Sequence, residues 1–291
     1  MTTADILKKV RKIELKTKGI TNHIFSGEYH SVFKGRGMSF ADVRAYQYGD
    51  DVRNIDWNVT ARAGEAHIKQ FEEERELTLM LLIDVSASTK FGNVEESKAE
   101  LATEIAALLA FSALNNNDKV GVILFSNKVE QYIPPKKGKA HIMRIIRELI
   151  AFESSGVSTN LNLAFDYLNH IIKKRCIAFV LSDFENIENG SALRIAARKH
   201  DLTALHLFDP IDEKLPKMGI IKIADPETGK IGWINTNSQK LRQQYAEAFM
   251  HSKNEALQAF KRSGAGFVSL KTSEQYIKSL RNYFKIREQA R

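Results

Sequence analysis

The chain has 291 residues, of which 43% are hydrophobic and 27% are charged, as is typical of a globular protein with a sizeable core. Its formal net charge is +8, and its one cysteine, Cys176, excludes an intramolecular disulfide. No apolar stretch reaches the roughly 18 residues that span a bilayer, and the charged N-terminus lacks the apolar segment of a signal peptide. We therefore expect a cytoplasmic protein.

Residues 1–75 open with a helical pattern and then become dense in arginine, aspartate, glycine and aromatic residues. We expect an N-terminal extension that packs on the core. Its charged side chains are predicted to form one arginine–carboxylate network, with these members: Asp50, Asp51, Arg53, Asp56 and Arg62. The network either fastens the extension to the core or forms a docking surface for a partner.

Residues 76–291 alternate between short apolar runs and helical patterns, which indicates an α/β domain with a Rossmann-like, mostly parallel sheet flanked by helices. The predicted strands are 77–83, 120–125, 176–181, 203–208 and 266–270. The predicted helices are 95–114, 139–152, 160–173, 191–200 and 238–262, with a last helix from about Ser273. Cys176 lies in a strand pattern, which favours a buried, inert thiol.

Residues 211–237 interrupt this alternation and are predicted to be a β-hairpin insertion. Two strand-like segments, 219–223 and 230–234, flank a segment of turn composition, Asp225-Pro226-Glu227-Thr228-Gly229.

A carboxylate and two hydroxyls, from Asp84, Ser86 and Ser88, follow the first predicted strand of the sheet. Ligands of open parallel sheets bind at the carboxyl ends of the strands, and hard oxygen donors there suit Mg²⁺. The same residue types also cap helices, so this pentapeptide alone is equally compatible with a helix cap.

Two further loops carry oxygen donors at the same expected edge of the sheet. Thr159 precedes a predicted helix, and Asp183 ends a predicted buried strand. Taken singly, the first is compatible with a helix cap and the second with a turn. Together with Asp84, Ser86 and Ser88 they predict one site, in which two carboxylates balance Mg²⁺ or another divalent cation such as Mn²⁺ or Ca²⁺.

This pattern resembles the metal-ion-dependent adhesion site of von Willebrand factor A domains. The matching residues are Asp84, Ser86, Ser88, Thr159 and Asp183. The resemblance implies a von Willebrand factor A-like fold in which hydroxyls contact the metal and the aspartates often act through water. It also implies that an acidic side chain of a protein partner completes the metal shell. Either Ser158 or Thr159 faces the metal, since the loop has Val-Ser-Thr-Asn where many members have Gly-Gly-Thr.

The N-terminal part resembles a bacterial family, the "domain of unknown function 58". The motifs lie in residues 26–29, 33–37, 42–46, 48–57, 60–62 and 71–76, and the insertion with its Asp-Pro-Glu-Thr-Gly turn fits as well. Genes of this family usually neighbour those of MoxR-type AAA ATPases. The resemblance therefore implies a non-enzymatic adaptor or co-chaperone that acts with such an ATPase in protein assembly, maturation or activation.

Two other functions compete with this one. A phosphatase-like hydrolase would use Asp84 as nucleophile, but such chemistry needs a second aspartate where the chain has Ser86, and no Ser-His-Asp or Cys-His set is suggested. Alternatively, residues 236–291, with 11 Lys or Arg against 4 Asp or Glu, would bind anionic membrane or nucleic acid. Nucleic acid is not expected, because aromatic residues are not interleaved with the basic ones. Membrane contact is expected only indirectly, through partners.

Overall fold

A computed structural model of the chain describes residues 3–20, 39–72, 77–90, 97–153, 156, 158–185, 187, 190–224 and 231–289. The chain forms two compact units, one of Met1–Phe33 with Thr78–Arg291 and the other of Lys34–Leu77. This division differs from the predicted boundary at residue 75 in one respect. Helix α1 (Thr3–Ile20) belongs to the larger unit, where it contacts two helices of the α/β fold.

The smaller unit is a two-stranded antiparallel ribbon with one short helix. Strand β1 (Ser39–Ala45) pairs with β2 (His67–Glu72), and α2 (Trp57–Ala63) lies between them in sequence. Asp56 caps α2 by accepting hydrogen bonds from the backbone N–H groups of its first turn.

The predicted single charge network of this unit is wrong. Arg44, which the prediction did not include, holds Asp50 through two hydrogen bonds of 2.7 Å. Arg53 pairs separately with Asp51, and Asp56 is engaged by its helix. Asp56 Oδ2 also lies 3.8 Å from the Nζ of Lys69 on β2, so among the described residues these acidic side chains have separate basic partners.

The larger unit is built on a six-stranded sheet in the order β10-β7-β6-β3-β4-β5. All neighbours are parallel except β4 and β5. The predicted mostly parallel α/β fold is confirmed. The strands are β3 (Thr78–Asp84), β4 (Lys119–Phe125), β5 (Val129–Lys136), β6 (Ile177–Ser182), β7 (Asp201–Phe208) and β10 (Gly266–Lys271).

Helices cover both faces of this sheet. The side chains of β3, which alternate between the two faces, are therefore buried on both sides. Met80 and Leu82 belong to a core cluster shared with three helices, whereas Leu81 and Ile83 are equally buried on the other face. The helices are α3 (Lys98–Asn115), α4 (Lys139–Ala151), α5 (Leu161–Ile171), α6 (Ser191–Lys199), α7 (Pro210–Glu213), α8 (Gln239–Ser263) and α9 (Tyr276–Gln289).

The predicted hairpin insertion is present as two antiparallel strands, β8 (Ile220–Ala224) and β9 (Ile231–Asn235). Its turn, residues 225–229, lies outside the described residues, as do the family motifs at 26–29, 33–37 and 73–76 and the predicted helix start at 95–96. Among the described residues, no helix combines the length and apolar character needed to cross a bilayer.

Candidate metal centre

The candidate site lies at the carboxyl end of β3, where the order of the strands reverses. From β3 the chain adds β4 and β5 on one side, and it then returns to place β6 on the other side. In open α/β sheets the crevice at such a reversal is the usual place for ligands. Asp84 ends β3 and Asp183 directly follows β6, so the fold brings both carboxylates to this crevice.

The carboxylate of Asp84 is 3% exposed and is the centre of a hydrogen-bonded group. Its Oδ1 accepts a bond of 2.9 Å from the backbone N–H of Ser86. Its Oδ2 accepts one of 2.7 Å from the hydroxyl of Ser182 and one of 3.1 Å from that of Thr159. Ser88 joins the group through a contact of 3.0 Å between its Oγ and that of Ser86. Four of the five predicted site residues thus share one buried cluster.

The structure excludes the helix-cap alternative for Ser86 and Ser88. The residues after Ser86 form a short 3₁₀ turn, Ala87–Lys90, and helix α3 begins only at Lys98. Its cap is Ser97, whose hydroxyl accepts from the backbone N–H of Glu100. The two serine hydroxyls are therefore available to the site.

The hydroxyl of Thr159 is free of a capping role for a similar reason. Asn160 is the residue that caps α5, because its side chain accepts from the backbone N–H of Leu163. The backbone N–H of Asn160 also donates to the carbonyl of Ser126, 2.9 Å away, which ties the loop to the end of β4. This anchoring directs Thr159 at Asp84. Ser158 is half-buried, and the contact to Asp84 belongs to Thr159.

Asp183 is held by a buried lysine rather than by the hydroxyl cluster. The Nζ of Lys98 lies 3.1 Å from Asp183 Oδ2 and 3.3 Å from Asp212 Oδ2, and the Lys98 side chain is 2% exposed. Asp212 also accepts the backbone N–H of Asp209 in the capping box of α7. Asp183 therefore belongs to a buried ion triad with Lys98 and Asp212, and its role goes beyond that of a residue that only starts a turn.

The residue after Asp183 adopts an uncommon backbone conformation. Phe184 has a φ of 52°, in the left-handed region that bulky residues avoid, and its ring is buried. Its N–H donates to the hydroxyl of Ser182, which in turn donates to Asp84. Strained conformations of this kind persist where the surroundings enforce them, often at functional sites. Here the strained residue links the ends of β3 and β6.

The electrostatics of the site leave negative charge uncompensated. Burial, and then the charge of Asp183, raise the pKa of Asp84 to about 6, against the hydrogen bonds from Ser182 and Ser86, which lower it. Burial alone would lower the pKa of Lys98, but Asp183, Asp212 and Glu185 together raise it above its ordinary value. Asp183 and Asp212 outnumber the ammonium group of Lys98, and Asp84 adds a further carboxylate nearby, so these groups leave an excess of negative charge.

The donor set fits a divalent cation of the Mg²⁺ type. The hydroxyls of Ser86, Ser88 and Thr159 and the carboxylate of Asp84 are hard oxygen ligands, and a divalent cation would offset the excess of negative charge. Within the described part of the chain, no three His, Cys, Asp or Glu side chains are grouped as a metal cluster. A metal here would consequently depend on hydroxyl ligands.

An open pocket of about 260 Å³ lies beside Asp183 and continues the site along the sheet edge. One wall is acidic, from Asp183, Glu185 and Asp212, and the other is aromatic. The aromatic wall consists of His206, Phe208, Tyr245 and Phe249. The pocket is large enough for a side chain of a partner protein.

A second buried polar pair lies at the opposite end of β6. The Sγ of Cys176 is 3.2 Å from Nδ1 of His200, a contact that the sequence did not suggest. Burial raises the pKa of the thiol to about 12, and burial with Lys199 and Arg175 lowers the pKa of His200 to about 4. Thiol and imidazole are thus both neutral, and the pair lacks the thiolate that nucleophilic catalysis requires.

Sequence reasoning missed three members of the site: Ser182, Lys98 and Asp212. Ser182 had a usable signal, because it stands next to Asp183 at the end of a predicted strand. Lys98 and Asp212 had none, since charged residues near helix starts are normally solvated. Only the tertiary structure brings Lys98 to an aspartate 85 positions away in sequence.

Comparisons with known proteins give one family match and several more distant similarities. The model of the family described as "Protein of unknown function DUF58" matches residues 42–255. The uncharacterized protein Rv1480 of Mycobacterium tuberculosis is 29% identical over 271 residues, which are 92% of this chain and 85% of that protein.

Two solved structures show a more distant similarity. The conserved hypothetical protein BatB of Bacteroides thetaiotaomicron is 18% identical and has a TM-score of 0.46, over 73% of this chain and 99% of that chain. The SpRpn10 VWA domain is 15% identical and has a TM-score of 0.39, over 72% of this chain and 95% of that chain. The family match covers well over half of the chain, and the chain therefore belongs to the DUF58 family.

Proposed function

We propose that this protein is a non-enzymatic, metal-dependent protein-binding module of the cytoplasm. The observation that carries the proposal is the buried Asp84 carboxylate, surrounded by the hydroxyls of Ser86, Ser88 and Thr159 at the reversal of strand order. A Mg²⁺ ion, or Mn²⁺ or Ca²⁺, would be held by these oxygens. Since most of the ligands are neutral, the ion would keep positive charge to attract an acidic side chain of a partner.

The residues around Asp84 argue against its role as a catalytic nucleophile. A phosphatase-like mechanism would need an acid–base group beside Asp84 to protonate the leaving group and activate water. Ser86 lacks the acid–base capacity that a second aspartate would give.

A basic C-terminal surface for membrane or nucleic acid gains little support. Lys271 and Arg287 pair with Glu213 and Asp201, so part of the positive charge in this segment is already compensated within the fold. The charge excess of the sequence thus overstates the positive charge that is available to a ligand.

For the partner we propose a MoxR-type AAA ATPase, with this protein as its adaptor or co-chaperone in protein assembly, maturation or activation. This part of the proposal is supported by the family resemblance, now that membership of the family is established. The metal would connect the module to an acidic side chain of the ATPase or of its client protein.

The test is a binding measurement between the purified chain and a MoxR-type ATPase from the same genome, in Mg²⁺ and in EDTA. We expect EDTA and Asp84→Asn each to weaken binding by at least about tenfold, which corresponds to loss of one charge-assisted contact. His200→Gln, at the other end of the sheet, is the matched control and should bind like the wild type. Binding that survives both EDTA and Asp84→Asn would exclude the metal-bridged mechanism.

A further inference from the structure

Lys98 is the one lysine side chain at this edge of the sheet that the structure shows fully buried between two carboxylates. It is the first residue of α3, where the positive end of the helix dipole disfavours a cation. Two aspartates from different loops offset this cost and the cost of desolvation. Lys98 therefore has a specific place beside the candidate metal site.

We propose that Lys98 is a positioning residue that holds Asp183 away from the metal, so that Asp84 is the sole carboxylate available to the ion. This inference rests on the proposed function, since it concerns the same site. Asp183 would act on the ion only at a distance, through its charge.

The contacts of the two aspartates support this division of roles. Asp84 is bonded to a backbone N–H and to two hydroxyls, and the hydroxyls have lone pairs that can face a cation beside the carboxylate. Asp183 Oδ2 is instead bonded to an ammonium group that cannot leave, because its stem is buried and its other contact is Asp212. A metal that took Oδ2 of Asp183 as a direct ligand would have to separate a buried ion pair.

The consequence is a site whose metal affinity is set below what its carboxylates permit. With Lys98 in place the ion meets one carboxylate and three hydroxyls, and it retains charge for an acidic partner. Without the ammonium group, Asp183 would be free to reach the ion, which would bind more tightly and attract a partner less.

The experiment is titration of Mn²⁺ into the full chain, followed by electron paramagnetic resonance of the free ion. Lys98→Met should tighten Mn²⁺ binding by at least about tenfold. Lys98→Gln removes the charge but keeps a hydrogen-bond donor for Asp183. It replaces Lys98→Met in the titration if the methionine variant does not fold. Lys253→Met is the matched control, because Lys253 lines the neighbouring pocket, so removing it should change affinity less than twofold.

A double-mutant cycle identifies the route of the effect. In an Asp183→Asn background, Lys98→Gln should no longer tighten Mn²⁺ binding, because the carboxylate that it releases is absent. An effect that persists in this background would mean that Lys98 acts by simple charge repulsion, and the proposal would be wrong. Equal affinity of the wild type and of both Lys98 variants would also overturn it.

The outcomes separate this proposal from the function that it deepens. If the Lys98 variants bind Mn²⁺ and the wild type does not, the metal-dependent function fails while the role of Lys98 stands. If the wild type binds Mn²⁺ and the variants bind it no better, the function stands and the role of Lys98 fails. Absence of binding in all proteins would overturn both.

Discussion

The two ends of strand β6 each bury polar side chains, in chemically opposite ways. At the carboxyl end, Asp183 forms a buried ion pair with Lys98 close to the Asp84 hydroxyl cluster. At the amino end, Cys176 and His200 contact each other and are both neutral. A buried charge needs partners, whereas a buried thiol behaves as a small apolar group. The ion pair with Lys98 therefore offsets the cost of burying charge at one end, and burial keeps the other end neutral, which separates a candidate site from a structural pair.

The largest expected effect concerns the reactivity of Cys176. Its thiol is buried, and burial raises its pKa to about 12, so the thiolate is scarce at neutral pH. We expect a disulfide reagent to modify the native protein at least about a thousandfold more slowly than the unfolded protein. Labelling rates with and without denaturant measure this, and fast labelling of the native chain would show that the amino end is a reactive site.

The next largest effect is on metal affinity, and it tests whether the hydroxyls at the carboxyl end of β3 are ligands. The double variant Ser86→Ala with Ser88→Ala should weaken Mn²⁺ binding by about 10- to 100-fold, as loss of ligands or their supports typically does. Calorimetric titration measures the change, and Cys176→Ala should leave the affinity unaltered. If the alanine pair binds as the wild type does, the hydroxyls are not ligands.

A smaller effect on stability is expected at the amino end. Cys176→Ala removes a buried sulfur and its contact with His200, and it should lower the free energy of unfolding by about 1–2 kcal/mol. Urea denaturation followed by circular dichroism measures this. A change in metal affinity in the same variant would contradict the separation between the two ends.

The smallest effect is a pH dependence of stability from His200. Burial, Lys199 and Arg175 lower its pKa to about 4 in the folded chain, against about 6.5 when unfolded. Between these values the unfolded chain binds more protons, so this contribution is complete above pH 6.5 and is lost as the pH falls toward 4. Thermal denaturation at pH 7.5 and pH 5 should show a fall in Tm that is reduced in His200→Gln; an identical fall in both proteins would assign it to other groups.

The sequence predicts the central strands well, because strands buried on both faces are nearly uninterrupted apolar runs. It misses β5, which contains Pro134 and Pro135 and mixes polar residues with a few apolar ones. Proline is tolerated there because β5 is an edge strand, with one side free of ladder hydrogen bonds. The pattern of an edge strand is thus weaker than that of a central one.

The candidate site is predictable to a similar extent. Asp84, Ser86, Ser88 and Thr159 stand at strand ends or helix starts, where their chemistry is informative before the fold is known. Lys98 and Asp212 become informative only when the fold brings them to Asp183. The local sequence pattern identifies oxygen donors that could form a site. The tertiary structure shows which of these donors are already paired with another side chain.

Binding of Mn²⁺ to the wild-type chain tests the central claim most directly. Electron paramagnetic resonance should show one ion bound per chain, displaced by excess Mg²⁺, and no such binding in Asp84→Asn. Absence of saturable binding in the wild type, or full retention of it in Asp84→Asn, would contradict a metal centre at the carboxyl end of β3.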